Sequence, residues 1–232
     1  MARAKAWKHV ILLAIIVCVF VSQSLAPDRG VLGPMVHDAL VTLAMLSVFL
    51  VVFEGRTDRF VALAAGIVSI SCSWARYALP AHGGTTIAIV HDCALALFFS
   101  FAVVEILRSI FRQRAIRADD VIGSVCGYLL AGAAWASLYS LVDYVVPESF
   151  SLSRSVGMQL DGWHSRHALF DYFSVVTLTT MGYGDVVPLR APAMTLSWLE
   201  AVFGQFYIAV VVAQLVAVRL MQSLKSGNQD PR

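Results

Sequence analysis

The chain has 232 residues, 59% of them hydrophobic and only 14% charged, with a formal net charge of +2. A mean hydropathy of +0.75 excludes an ordinary soluble domain, and so small a positive surplus gives no reason to expect nucleic acid as a partner. The four cysteines, Cys18, Cys72, Cys93 and Cys126, fall inside apolar runs without a CxxC pair, which predicts small core residues rather than disulfides or metal ligands.

A membrane-spanning helix needs about 20 largely apolar residues. Six such runs follow one another: Trp7 to Leu25, Val36 to Phe53, Phe60 to Leu79, Thr86 to Leu107, Val121 to Val146 and Ala193 to Leu220. The first has basic residues ahead of it, as a signal peptide does. Cleavage after Ala26 would leave Pro27 beside the cut, so a retained helix is expected.

The second and fourth runs each carry a VHD triplet, Val36-His37-Asp38 and Val90-His91-Asp92, near one end. If the helices touch, His37, Asp38, His91 and Asp92 have the chemistry to bind zinc or sense external protons. If they do not, these are polar residues meeting interfacial water. His37 and His91 are also the pair through which a helical bundle would hold a haem. The fourth run contains no Lys or Arg, and Arg108, Arg112, Arg114 and Arg117 begin only where it stops. They read as an inner anchor or headgroup contact rather than a voltage-sensing ladder, so weak or absent voltage dependence is expected.

The composition shift over Arg108 to Asp120 divides the chain into a four-helix region, 1–118, and a two-helix region, 119–224, with a short polar tail, 225–232. From so short a tail no cytoplasmic nucleotide or calcium sensor is expected. With the amino terminus inside, the inner side receives Arg3, Lys5, Lys8, Arg56, Arg59, Arg108, Arg112, Arg114, Arg117, Arg219, Lys225 and Arg232. The outer side receives only Arg29, Arg76, Arg154, Arg166 and Arg190. This distribution follows the positive-inside preference and puts both termini in the cytoplasm.

Between the last two runs, Pro147 to Pro192 then lies outside. It holds a short apolar stretch, Ala168 to Thr180, too short to cross, and the run TLTTMGYGDVVP from Thr177 to Pro188. Irregular backbone at membrane depth survives only against protein or in a watery passage. Gly182 and Gly184 allow conformations closed to other residues, so successive carbonyls can point one way and form a tube. Such a tube, with a further ring from the Thr180 hydroxyl, can replace the water shell of a dehydrated monovalent cation.

Thr177, Thr179, Thr180, Gly182, Tyr183, Gly184 and Asp185 match the TxTTxGYGD signature, and by it the chain from about Asp119 to Met221 resembles the pore domain of the potassium channel family. It is most similar to bacterial six-helix members of the "ion channel" pore type, whose inner helix carries a stretch like Leu199-Glu200-Ala201-Val202-Phe203-Gly204-Gln205-Phe206-Tyr207. The resemblance implies an all-α integral membrane protein, with four amino-terminal helices ahead of outer helix, re-entrant pore helix, filter and inner helix. It implies a potassium-conducting homotetramer in the bacterial cell membrane, in contact with lipids, with no cofactor beyond the permeant ion. No nucleophile-base set or phosphate loop suggests an enzyme.

By position, the resemblance makes the carbonyls of Thr180, Met181, Gly182 and Tyr183, with the Thr180 hydroxyl, the potassium ligands. Gly184 would shape the outer end and Asp185 the outer mouth, while the Tyr183 ring would brace against the pore helix. Met181 replaces the usual Val or Ile, so its longer side chain must pack behind the filter; a looser filter would give a less selective cation channel. Tyr172 and Phe173 stand where many relatives carry a tryptophan pair, and Tyr172 can still bond Asp185. Gly204 reads as a gating hinge or as a site of close helix packing. Gln205 would face the cavity with Ile208, Val212 and Val216 or bond a neighbouring helix, and Glu200 would be a functional intramembrane acid or, the preferred reading, a neutral structural acid bonded to pore-helix groups such as Thr177 or Thr179.

Overall fold

The structure is a computed structural model that describes residues 7–25, 32–53, 57–77, 84–112, 117–153 and 163–227. Arg3, Lys5, Arg29, Arg56, Arg114, Arg154 and Arg232, used above for orientation, lie outside the described residues, as does Pro27. Among the described residues seven helices and two short strands follow in order: α1 (Lys8–Leu25), α2 (Leu32–Val52), α3 (Thr57–Ala75), α4 (Gly84–Arg112), α5 (Ala118–Val145), β1 (Phe150–Leu152), α6 (Trp163–Leu178), β2 (Val186–Pro188) and α7 (Ala191–Gly227).

Four of these helices are long and apolar enough to cross a membrane: α2, α4, α5, and α7 over Ala191–Gln222. The first and third of the six expected spans correspond to α1 and α3, apolar helices of 18 and 19 residues. The fourth helix is longer than its apolar run. It begins at Gly84 and continues to Arg112, with Arg108 paired to Glu105 at 3.3 Å on its last turns.

Helix α5 begins where the sequence puts negative charge beside unsatisfied N–H groups. Asp119 and Asp120 occupy its first turn, and Asp120 Oδ2 accepts a hydrogen bond from the Arg117 N–H at 2.8 Å. Asp119 also receives the ring of His9 at 2.7 Å, which fastens the start of α1 to the start of α5. Leu12 and Ile16 of α1 are buried in the main core.

That core is continuous. It joins Met45 and Val48 of α2, Ala62 of α3, and Phe98, Ala102 and Ile106 of α4 to Cys126, Leu130 and Ala134 of α5 and to Tyr207 and Val211 of α7. Of the cysteines expected in the core only Cys126 is buried; Cys18 and Cys93 are exposed and Cys72 is intermediate. An apolar helix in a membrane can place small residues on either face at little cost, so hydropathy did not distinguish them.

A second, smaller core lies around Tyr139 of α5 and joins Phe150, Leu169, Phe170, Phe173, Val186 and Ala193. It is aromatic: the Tyr139 ring centroid is 4.9 Å from Phe173 and 5.7 Å from Phe150. The strands β1 and β2 pair antiparallel with Ser151 opposite Val187, an element the hydropathy pattern did not announce. Bonds from Ser153 N–H to the Asp185 carbonyl and from Leu189 N–H to the Ser149 carbonyl, both 2.8 Å, extend the ribbon. The ribbon holds the outgoing limb of the 180–185 loop to the end of α5.

Candidate functional site

Helix α6 starts at Trp163, five residues before the apolar stretch that announced it, because His164, Ser165 and Arg166 are polar but helical. It ends by using up its own carbonyls. The Thr179 hydroxyl donates to the Val175 carbonyl at 2.6 Å, Thr180 N–H to that of Thr177 at 2.9 Å, and Met181 N–H to that of Val176 at 2.9 Å.

Beyond that stop the backbone changes hand at every second residue. Thr180 has φ 58°, Gly182 φ 56° and Gly184 φ 75°, while Met181 and Tyr183 between them stay at negative φ. In an ordinary strand successive peptide planes are half a turn apart, so carbonyls alternate in direction. Alternating the sign of φ cancels the half turn and lines the carbonyls up on one side. Glycine tolerates this freely, whereas Thr180 stores strain of about 1–3 kcal/mol. Among the described residues nothing lies within 4 Å of where a Cβ would stand on Gly182 or Gly184.

Asp185 closes the loop. Its Oδ1 accepts the Val186 N–H at 3.0 Å and its Oδ2 the Tyr172 hydroxyl at 2.5 Å. The hydrogen bond to Asp185 pushes the Tyr172 phenol up to about 12, so it remains a donor throughout the neutral range. Phe173, one residue on, faces the aromatic core instead. Met181 and Tyr183 are 62% and 65% exposed. Neither the Met181 side chain nor the Tyr183 ring is buried within the single chain.

Support comes from α7. Glu200 is fully buried, with Oε1 accepting the Ser174 hydroxyl at 2.5 Å and Oε2 accepting the Tyr139 hydroxyl. This corrects the expected partners Thr177 and Thr179: Glu200 sits level with Ser174, about a turn earlier on α6, and the Thr179 hydroxyl is spent on its own helix. Ser174 Oγ is also 2.7 Å from the Gly132 carbonyl. Its single proton therefore lies between two acceptors, the Gly132 carbonyl and Glu200 Oε1.

A Cβ added to Gly204 would run into the carbonyl oxygen of Leu178, which already accepts the Tyr128 hydroxyl at 2.9 Å. Of the two expectations for Gly204, the geometry gives close packing a direct reason. Gln205 Nε2 donates to Thr180 Oγ1 at 3.3 Å, and Ile208, Val212 and Val216 are 46%, 51% and 60% exposed along the helix below it.

The VHD residues do not form one ligand set. Asp38 accepts Arg76 Nη2 and the Tyr77 hydroxyl, both at 2.6 Å, while His37 Nδ1 lies 2.9 Å from Ser22 Oγ. Asp92 instead faces His167 of α6, 3.1 Å away. His37 and His91 do line one cavity, together with His164, His167 and Asp171, but its volume of about 60 Å³ has room for a few waters and not for a porphyrin. His164 and His167 were missed in the sequence. Their signal was present, two histidines three apart on one helical face behind Trp163.

Residues 126–219, which take in most of α5, all of α6, the loop and most of α7, match the family model described as "Ion channel". Over these residues the chain is similar to ion channel domains. With its long apolar helices, this supports an integral membrane protein. No curated protein and no solved structure matches the chain.

Proposed function

We propose that four copies of this chain assemble around one axis and conduct potassium selectively down its gradient, without catalysis. The alternating sign of φ from Thr180 to Gly184 carries this reading, because it turns consecutive carbonyls to one side. Carbonyls so aligned can stand in for the water shell of potassium only if they surround it, and one chain supplies one wall. The open space around Gly182 and Gly184 leaves room for the ion and the other three walls. Trp198, Val202 and Phe206 of α7, 57%, 43% and 65% exposed, supply apolar surface for neighbouring chains and lipid tails.

In such an assembly Met181 and Tyr183 pack against a neighbour, and the carboxyl end of α6 directs its negative dipole toward the ion path. Gln205, Ile208, Val212 and Val216 line the cavity beneath. Both termini face the cytoplasm of a bacterial cell, as the basic residues direct. With no basic residue between Gly84 and Leu107 of α4, opening depends little on voltage.

The test is flux from liposomes containing only this protein, with the assembly size measured in parallel by crosslinking. Potassium efflux well above sodium efflux, from a tetramer, is the expected result. Tight vesicles or a monomeric protein would end the reading. A less selective cation channel is the second reading, favoured by the exposure of Met181. A reversal potential near zero in mixed potassium and sodium would identify it.

A further inference from the structure

A carboxylate buried among apolar helices needs partners. Asp92 is fully buried, and among the described residues neither of its oxygens accepts a hydrogen bond. His167, itself only 9% exposed, brings Nε2 to 3.1 Å from Asp92 Oδ1, the distance of an ion pair but without the geometry of a hydrogen bond. A buried pair with no further hydrogen bonds carries a desolvation cost that a shared cation would offset.

A third group completes the set. His91 adjoins Asp92 in the chain, and one ligand atom from each of His91, Asp92 and His167 lies within 4.8 Å of the others. His91 Nδ1 donates to the Ser69 carbonyl at 3.0 Å. That bond fixes the tautomer and leaves Nε2 as a free lone pair, the arrangement that orients metal-ligating histidines.

We propose that His91, Asp92 and His167 hold a divalent cation of the zinc class, which ties α4 to the short helix leading into the 180–185 loop. Two imidazole nitrogens and one carboxylate are an ordinary zinc set with the fourth position left for water, whereas calcium and magnesium want oxygens throughout. Ligands bound tetrahedrally at about 2.0 Å lie roughly 3.3 Å from one another, close to the observed separation of His167 from Asp92. The cavity bordered by His91 and His167 supplies the water position. Part of the positive charge of Arg76 is taken up elsewhere: it is paired with Asp38 at 2.6 Å and its guanidinium stacks 4.1 Å above Trp163.

Binding is read without ion flux, so this proposal stands or falls separately from the permeation reading. The untagged, chelator-stripped full chain in detergent is titrated with Co²⁺, whose visible absorption reports four-coordinate nitrogen and oxygen ligation. One Co²⁺ per chain, displaced by Zn²⁺, is expected. His167→Ala and His91→Ala should each weaken binding by about 100-fold or more, since even outer-shell changes reach 10–100-fold. His37→Ala lines the same cavity but removes no ligand, and should leave binding unchanged. Absent binding, binding that survives His167→Ala, or an equal loss in His37→Ala would overturn the proposal.

Should the ligand variants fail to fold, Trp163 provides a second reading, because its ring centroid is 5.0 Å from that of His91 and 5.1 Å from that of His167. Co²⁺ should then quench tryptophan fluorescence in the unaltered chain, and Trp163→Phe should remove that quench while keeping the absorption band. Quenching that is absent, or that persists in Trp163→Phe, would place the ion elsewhere.

Discussion

The loop from Thr180 to Asp185 is one unbroken run whose backbone does the chemistry, and it stands largely open. The cluster around Asp92 takes its groups from two separate helices, works through side chains and is buried. The loop is held from behind: Tyr172 secures Asp185, while Glu200 and Gly204 of α7 secure the helix that feeds it. In the cluster His91 is held by the Ser69 carbonyl, while both oxygens of Asp92 and Nε2 of His167 lack a hydrogen bond among the described residues. A site made of backbone needs scaffolding to hold an unusual conformation. A site made of buried side chains needs a ligand to relieve it.

Substitutions that attack the backbone should therefore have the largest consequences, and those that touch the scaffold should grade downward with burial. Gly182→Ala forces a side chain into φ 56° in every copy, a strain of about 1–2 kcal/mol per residue. Potassium flux from reconstituted vesicles should fall to background; normal flux would remove the need for that conformation.

Glu200→Ala leaves the hydroxyls of Tyr139 and Ser174 facing a cavity. A loss of about 3 kcal/mol in the unfolding of the purified protein is expected. Glu200→Gln keeps an acceptor and the volume, so it should lose about 1 kcal/mol and conduct almost normally. If the glutamine variant assembles but carries no current, the carboxyl group belongs to permeation and not to the scaffold.

Gly204→Ala should reverse the usual sign. In a helix interior alanine is favoured over glycine by about 1 kcal/mol, but here the added carbon meets the backbone oxygen of Leu178, for a net loss of about 1–3 kcal/mol. A raised melting temperature would show that α7 moves aside. Tyr172→Phe should have the smallest effect, a loss of about 0.5–1 kcal/mol with potassium flux retained, because its bond to Asp185 is exposed to water.

Much of the loop was legible before any coordinate. The glycines at 182 and 184 announced the change of hand, and both have positive φ, as does Thr180 beside them, which was not foreseen. Hydropathy located every helix, yet it overran α3, started α6 late and ended α4 early, since apolar runs do not mark where polar residues remain helical. The strands were invisible because three residues carry no usable period. Glu200 was singled out correctly as a buried acid but given the wrong neighbours, because a turn of difference in how α7 meets α6 cannot be read from either helix alone.

What the sequence determined by itself was the chemistry of contiguous residues: apolar runs that demand a bilayer, and a glycine-spaced turn whose carbonyls can align. What tertiary structure decided was which distant side chains meet. Asp38 went to Arg76 and Asp92 to His167, although both sit in the same VHD triplet. Backbone geometry is local and is written in residue types, whereas a side-chain contact depends on helix rotation, depth and crossing, which small errors of register are enough to reassign.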